Sequence, residues 1–274
     1  MTDRHLRRVL PSPTSLLTIT CLLILISLSS AVAARFPLNP PIEVTVDAPD
    51  SSVELVGRLE IPHASLVKSG KPPLLILLHQ FGMSNVNWGM FTEQLLRNGI
   101  AFLAMDLPGH GLSIYDLKQQ KNRPPYSYYT GELLNFPQDV AALVEQTIRL
   151  HHDRVDTTRI AVLGAGLGAN VGLLYAHNDP RVRYIALVSP GLEFNQLRIA
   201  PVLREFDDRP IMIAYSDTDV YAVQTVDLLT DIIPRKFDLF VSSSMYAGNR
   251  LLNSEPALQV KVLDDLRRFL VREK

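Results

Sequence analysis

The amino-acid sequence predicts an α/β fold: a doubly wound, mostly parallel β-sheet with an antiparallel hairpin at its start. Three observations predict it. Six short, continuous apolar runs recur along the chain, as strands buried on both faces do. Stretches of helical length separate them, and such alternation implies a parallel sheet covered on both faces. Ahead of them, Glu43–Val46 and Val53–Ile61 alternate apolar and polar residues, the pattern of a half-buried hairpin.

In chain order the expected core strands are Leu74–His79, Ile100–Met105, Ile160–Leu163, Tyr184–Val188, Ile211–Tyr215 and Phe237–Val241. The helices expected between them are Trp88–Asn98, Pro137–His152, Leu167–His177 and Val220–Ile232. A last helix, Pro256–Arg272, places Leu258, Val262, Leu266 and Phe269 on one face, the apolar stripe of a helix packed on a core.

The chain has 274 residues, 47% of them apolar, with 27 basic against 28 acidic side chains. That length accommodates one large domain or two small ones. The near-zero net charge offers no basic surplus for binding a phosphate backbone, so nucleic acid is not an expected partner. The single cysteine, Cys21, excludes an internal disulfide and a four-cysteine zinc site. No other metal cluster stands out; Asp106, His110 and Asp116 are close in sequence, but a turn motif accounts for the first two.

Residues 1–34 read as an address. Arg4, Arg7 and Arg8 precede an uncharged stretch, Leu16–Ala34, which ends in Ala31-Val32-Ala33-Ala34. A basic start, a short apolar centre and a small-residue end are the parts of a secretory signal peptide. Cleavage after Ala33 or Ala34 fits, yet residues 16–34 are also just long enough for an uncleaved membrane anchor. The protein is therefore expected to be exported, whether periplasmic, extracellular or membrane-anchored, with residues 35–274 as its domain.

Three motifs in that domain resemble the α/β-hydrolase fold, in its small-lid forms akin to dienelactone hydrolases and serine aminopeptidases. "LLILLHQFGMSNVNW" (Leu74–Trp88) is similar to the strand ending in His-Gly that supplies half of an oxyanion hole. "AMDLPGHGLS" (Ala104–Ser113) resembles the Asp-x-x-Gly-His-Gly-x-Ser turn. "RIAVLGAGLGANVGLLYA" (Arg159–Ala176) resembles the nucleophile elbow and its helix. The resemblance spans roughly residues 42–272, with about twenty residues, Pro190–Arg209, where a lid is usually inserted.

The resemblance implies a triad, and the sequence departs from it at two of three positions. The elbow of active relatives reads Gly-x-Ser-x-Gly; here it reads Gly164-Ala165-Gly166-Leu167-Gly168, so the nucleophile position is Gly166. Asp219 takes the position of the acid, with Asp217 second to it. The base position falls on Ala247, or on Asn249 after a small shift, and no histidine follows His177. Acyl transfer needs a side-chain nucleophile and a base to activate it. The expected protein is thus a non-catalytic relative that binds a small molecule or a protein partner. Candidates for contacting a ligand are His79, Gln80, Phe81, Leu167 and Asp219. The N–H groups of Phe81 (or Gln80) and Leu167 stand at the oxyanion position the resemblance implies. His79 and His110 also have structural readings, and Asp219 reads first as a helix N-cap.

Two alternatives remain at this level. One is a serine-type hydrolase with a relocated nucleophile at Ser84, Ser113 or Ser216. The other takes Gly164-x-Gly166-x-x-Ala169 as a dinucleotide fingerprint, although no acidic residue ends the next strand to hold a ribose. No cofactor is expected.

Overall fold

The computed structural model describes residues 37–68, 70–128 and 131–270; the expected signal or anchor segment, 1–34, lies outside them. The antiparallel start is β1 (Ile42–Asp47) against β2 (Glu54–Glu60), with Ile42 opposite Leu59 and Asp47 opposite Glu54. Then come β3 (Pro73–Leu78), α1 (Phe91–Arg97) and β4 (Ala101–Asp106). A two-residue pair, β5 (Tyr115–Asp116) and β6 (Lys121–Asn122), precedes α2 (Phe136–His151). The chain continues through β7 (Asp156–Ala165), α3 (Leu167–Asn178) and β8 (Val182–Val188). Next is a short hairpin, β9 (Glu193–Phe194) with β10 (Leu197–Arg198), then α4 (Ile199–Glu205) and β11 (Ile211–Ser216). The remaining elements are α5 (Val220–Ile232), β12 (Asp238–Ser242), α6 (Gly248–Ser254) and α7 (Pro256–Leu270).

Eight strands form one sheet in the order β1-β2-β4-β3-β7-β8-β11-β12. The pairs from β4 to β12 are parallel, whereas β2 runs antiparallel to both neighbours. Every residue of β3, β4 and β11 is buried, which explains their unbroken apolar runs. After β3 the chain turns outward to β4, then crosses back to β7 on the other side of β3. Ligand sites in open α/β sheets form at such a reversal, beyond the carboxyl ends of the strands. Here those ends carry His79 and Gln80 after β3, and Gly166 after β7.

The helices cover the sheet as their stripes require. In α2, Phe136, Val140, Leu143, Val144 and Thr147 are buried. In α7, Leu258, Val262 and Leu266 are buried as expected, with Leu263 and Leu270 added. Phe269 is half-buried and stacks on Tyr184 at 5.3 Å, while the Tyr184 hydroxyl donates to Asp265 at 2.8 Å. One strand differs from expectation. The run Phe237–Val241 reads as buried on both faces, yet β12 is the sheet edge, with Leu239 41% and Val241 53% exposed. An edge strand lacks the neighbour that would complete its cover, which residue type alone does not reveal.

Candidate functional site

At the end of β7 a single residue, Gly166, makes the turn into α3. Its backbone has φ +52° and ψ −119°, a region open to glycine and strained for other residues. The adjoining glycines serve close packing. A Cβ on Gly164 would lie 2.1 Å from the Gly168 carbonyl oxygen, and one on Gly168 would lie 2.0 Å from that of Leu78. These contacts press α3 against the ends of β3 and β7. They account for the glycine spacing without a dinucleotide.

Gln80 leaves β3 beside this elbow. A Cβ on Gly166 would lie 2.9 Å from the Gln80 Cβ, and one on Gly248 would lie 1.7 Å from Gln80 Oε1. The Gln80 side chain therefore runs from the elbow to the first turn of α6. There the Asn249 N–H donates to Gln80 Oε1 at 3.0 Å, and the Gln80 N–H donates to Asn249 Oδ1 at 2.9 Å. Two residues 169 apart in sequence thus form a reciprocal amide pair. Asn249 is buried, and its Nδ2 reaches the Asn87 carbonyl at 3.4 Å. Asn253 donates to the same carbonyl at 3.2 Å. The Gly248 N–H donates to the Ser189 Oγ at 2.9 Å; Ser189 itself holds a left-handed φ of +51°.

The other candidates divide by burial. His79 is fully buried. Its Nε2 accepts the Leu107 N–H at 3.1 Å and its Nδ1 lies 2.8 Å from the Gln80 carbonyl. A main-chain N–H only donates and a carbonyl only accepts, so the neutral ring carries its proton on Nδ1. Burial holds its pKa down at about 3, reinforced by His110 and opposed by the bond to Gln80. Both ring nitrogens are thus committed to main-chain groups. Phe81 is half exposed, packed edge-on to His110 at 5.2 Å and against Tyr126 at 5.8 Å. His110 is buried; its Nδ1 meets the Pro108 carbonyl at 3.1 Å, and burial lowers its pKa.

Of the three oxyanion candidates, Gln80 has its N–H occupied by Asn249. The N–H groups of Phe81 and Leu167 make no hydrogen bond to the described residues. Asp219 caps α5, its side chain accepting the Ala222 N–H at 3.2 Å. Asp217 accepts from the Ser243 hydroxyl at 3.1 Å. Ala247 takes the N-cap position of α6, and it is the Asn249 side chain that accepts the Gln80 N–H.

The relocated-nucleophile serines are all engaged. Ser113 is buried and its Oγ accepts the Val56 N–H at 2.8 Å. Ser216, also buried, donates to the Ser244 carbonyl. Ser84 Oγ donates to Asn87 Oδ1 at 2.9 Å. Among the described residues none of the three has a histidine as hydrogen-bond partner. Asp116 pairs with Arg123 at 2.9 Å, which also pairs with Glu132 at 2.8 Å. Among the described residues no cluster of three His, Cys, Asp or Glu side chains is placed to hold a metal ion.

The residue that sequence reasoning undervalued is Gln80. Its signal was present: a bulky amide where the resembled motif has the glycine of His-Gly. Its reach across to Asn249 had no local signal.

Comparison with known proteins agrees with this geometry. The profile of the family described as serine aminopeptidase, S33, matches residues 71–212. The structure is similar to that of 2,6-dihydroxy-pseudo-oxynicotine hydrolase, with TM-score 0.64 and 19% identity over 90% of this chain and 72% of that one. It is similar to an esterase of Pyrococcus furiosus, with TM-score 0.61 and 17% identity over 84% and 91% of the two chains. It also resembles a dienelactone hydrolase of Anabaena variabilis, with TM-score 0.57 and 14% identity over 84% and 97%. No curated protein matches the sequence at a significant level. At these identities the structural likenesses establish the α/β-hydrolase fold.

Proposed function

The chain belongs to the serine aminopeptidase S33 family, and from that membership we propose that it is an exported, non-catalytic relative whose role is binding, of a small ligand or of a protein partner. The observation that carries this reading is the elbow. It has the sharp strand-to-helix turn that would present a nucleophile, and Gly166 at its apex presents none. Of the two positions for a base, Ala247 has no group to titrate and Asn249 holds an amide that is hydrogen-bonded to Gln80. Removing the serine or the histidine from such a mechanism costs several orders of magnitude in rate. Asp219 keeps the place of the acid, but its carboxylate caps α5.

The test is to treat the full-length protein with a fluorophosphonate probe and to assay short acyl esters and amides. The expected result is no labelling and no turnover above a heat-denatured control. Stoichiometric labelling at one serine, abolished by its change to alanine, would overturn the reading. The export half rests on residues 1–34. Mass spectrometry of the N-terminus is expected to find Ala34 or Arg35 first, or an intact detergent-requiring chain if the segment anchors. A full-length product in the cytosol would refute export.

A further inference from the structure

We propose that Gln80 is a built-in plug: with Asn249 it forms an amide clamp that fills the space between the elbow and α6, shutting the vestigial cleft with a side chain of the chain itself. The inference rests on the non-catalytic reading of the same site and goes beyond it. Loss of the triad alone would leave an open, unreactive pocket. Instead, the line from the nucleophile position to the base position is the line along which Gln80 lies. Its Cβ crowds the Cβ that Gly166 lacks, and its Oε1 crowds the Cβ that Gly248 lacks. Both ends are bonded, side chain to main chain in each direction, between Gln80 and Asn249. Asn249 and Asn253 then tie α6 to the Asn87 carbonyl, in the loop after β3.

Glycine at 166 fits the same contact, because any other residue there would bring its Cβ to 2.9 Å from that of Gln80. The clamp also carries its own reporter. The sole tryptophan, Trp88, is buried in that loop beside Asn87.

A thiol placed at the elbow tests the plug. In full-length protein carrying Cys21→Ser, Gly166→Cys is compared with Gly166→Cys plus Gln80→Gly. Iodoacetamide alkylation is followed with native Trp88 fluorescence as the check on folding. Access gated by local opening slows labelling, so the double variant is expected to react at least ~10-fold faster than the single one. Equal rates would overturn the plug. If Gly166→Cys folds only together with Gln80→Gly, the steric claim is met directly. Should neither fold, hydrogen exchange on the otherwise unaltered chain decides. The Asn249 amide is expected to be protected, and to lose at least ~10-fold of that protection in Gln80→Gly. An Asn249 amide that exchanges equally in both proteins refutes the clamp. Fluorophosphonate labelling of the natural chain would sink the non-catalytic reading without touching these rates, so the two failures are distinguishable.

Discussion

The turn after β4 and the elbow after β7 open on the same edge of the sheet, yet they hold their polar groups to different ends. In the turn, Asp106 is buried and accepts from the Asn85 N–H at 2.6 Å, the Leu112 N–H at 2.9 Å and the Asn85 side chain at 3.0 Å. His79 takes the Leu107 N–H and Ser113 takes that of Val56. Asp106, His79 and Ser113 each satisfy a main-chain donor that has left water, so the fold needs them whatever the protein does. At the elbow the positions that the family uses for nucleophile and base hold no serine and no histidine. Glycine stands at one of them, and the other carries an amide bonded to Gln80. The family pattern is therefore intact where it supports the backbone and absent where it would supply chemistry.

The largest effect should come from the turn. Asp106→Ala leaves two main-chain N–H groups and an amide unpaired, which at ~1–3 kcal/mol for each group predicts a loss of at least about 3 kcal/mol in chemical denaturation. A loss below ~1 kcal/mol would mean that water replaces the carboxylate and that the contrast is false.

A second effect is pH dependence carried by His79. Its folded pKa of about 3 lies below its ordinary value of 6.5, so between those values the unfolded chain binds the proton that the folded chain refuses. Stability from this group is complete above pH 6.5 and declines as the pH falls toward 3. By pH 4 the decline is about 3 kcal/mol, as an order of magnitude. His79→Gln, which keeps an acceptor and a donor without titrating, should flatten that part of the profile. An unchanged slope would assign it to other groups.

Gly166→Ser should cost about 2–3 kcal/mol, from backbone strain and from contact with Gln80. Adding Gln80→Gly should recover the contact share and leave the strain. Neither variant should hydrolyse an ester, because no base adjoins the hydroxyl. Turnover is expected only once a histidine at one of the two base positions, Ala247→His or Asn249→His, joins both changes. Activity in Gly166→Ser alone would reveal a base elsewhere and erase the contrast between turn and elbow.

The smallest effect belongs to Asp219. As an N-cap its change to alanine should cost about 1 kcal/mol in denaturation, with no effect on any binding activity later found. A binding defect at unchanged stability would instead return Asp219 to the cleft.

Much of the fold was legible because buried parallel strands write themselves as unbroken apolar runs and covering helices as stripes. β11 and α5 begin where the sequence places them, at Ile211 and Val220. The seven-residue helices α4 and α6 were not read from the sequence, although α1, of the same length, was. The edge position of β12 was equally hidden, because apolar content does not say how many neighbours a strand has. At the site, the absence of a nucleophile at Gly166 and of any histidine beyond His177 is a matter of residue identity, and the linear chain is enough to see it. What fills the vacated space is not. Gln80 and Asn249 meet only because the parallel sheet brings the end of β3 beside α6, and hydrogen bonds between residues 169 positions apart leave no trace in local pattern. Residue identity alone shows that the nucleophile and base positions hold no serine and no histidine; three-dimensional packing decided that Gln80 and Asn249 meet there through paired hydrogen bonds.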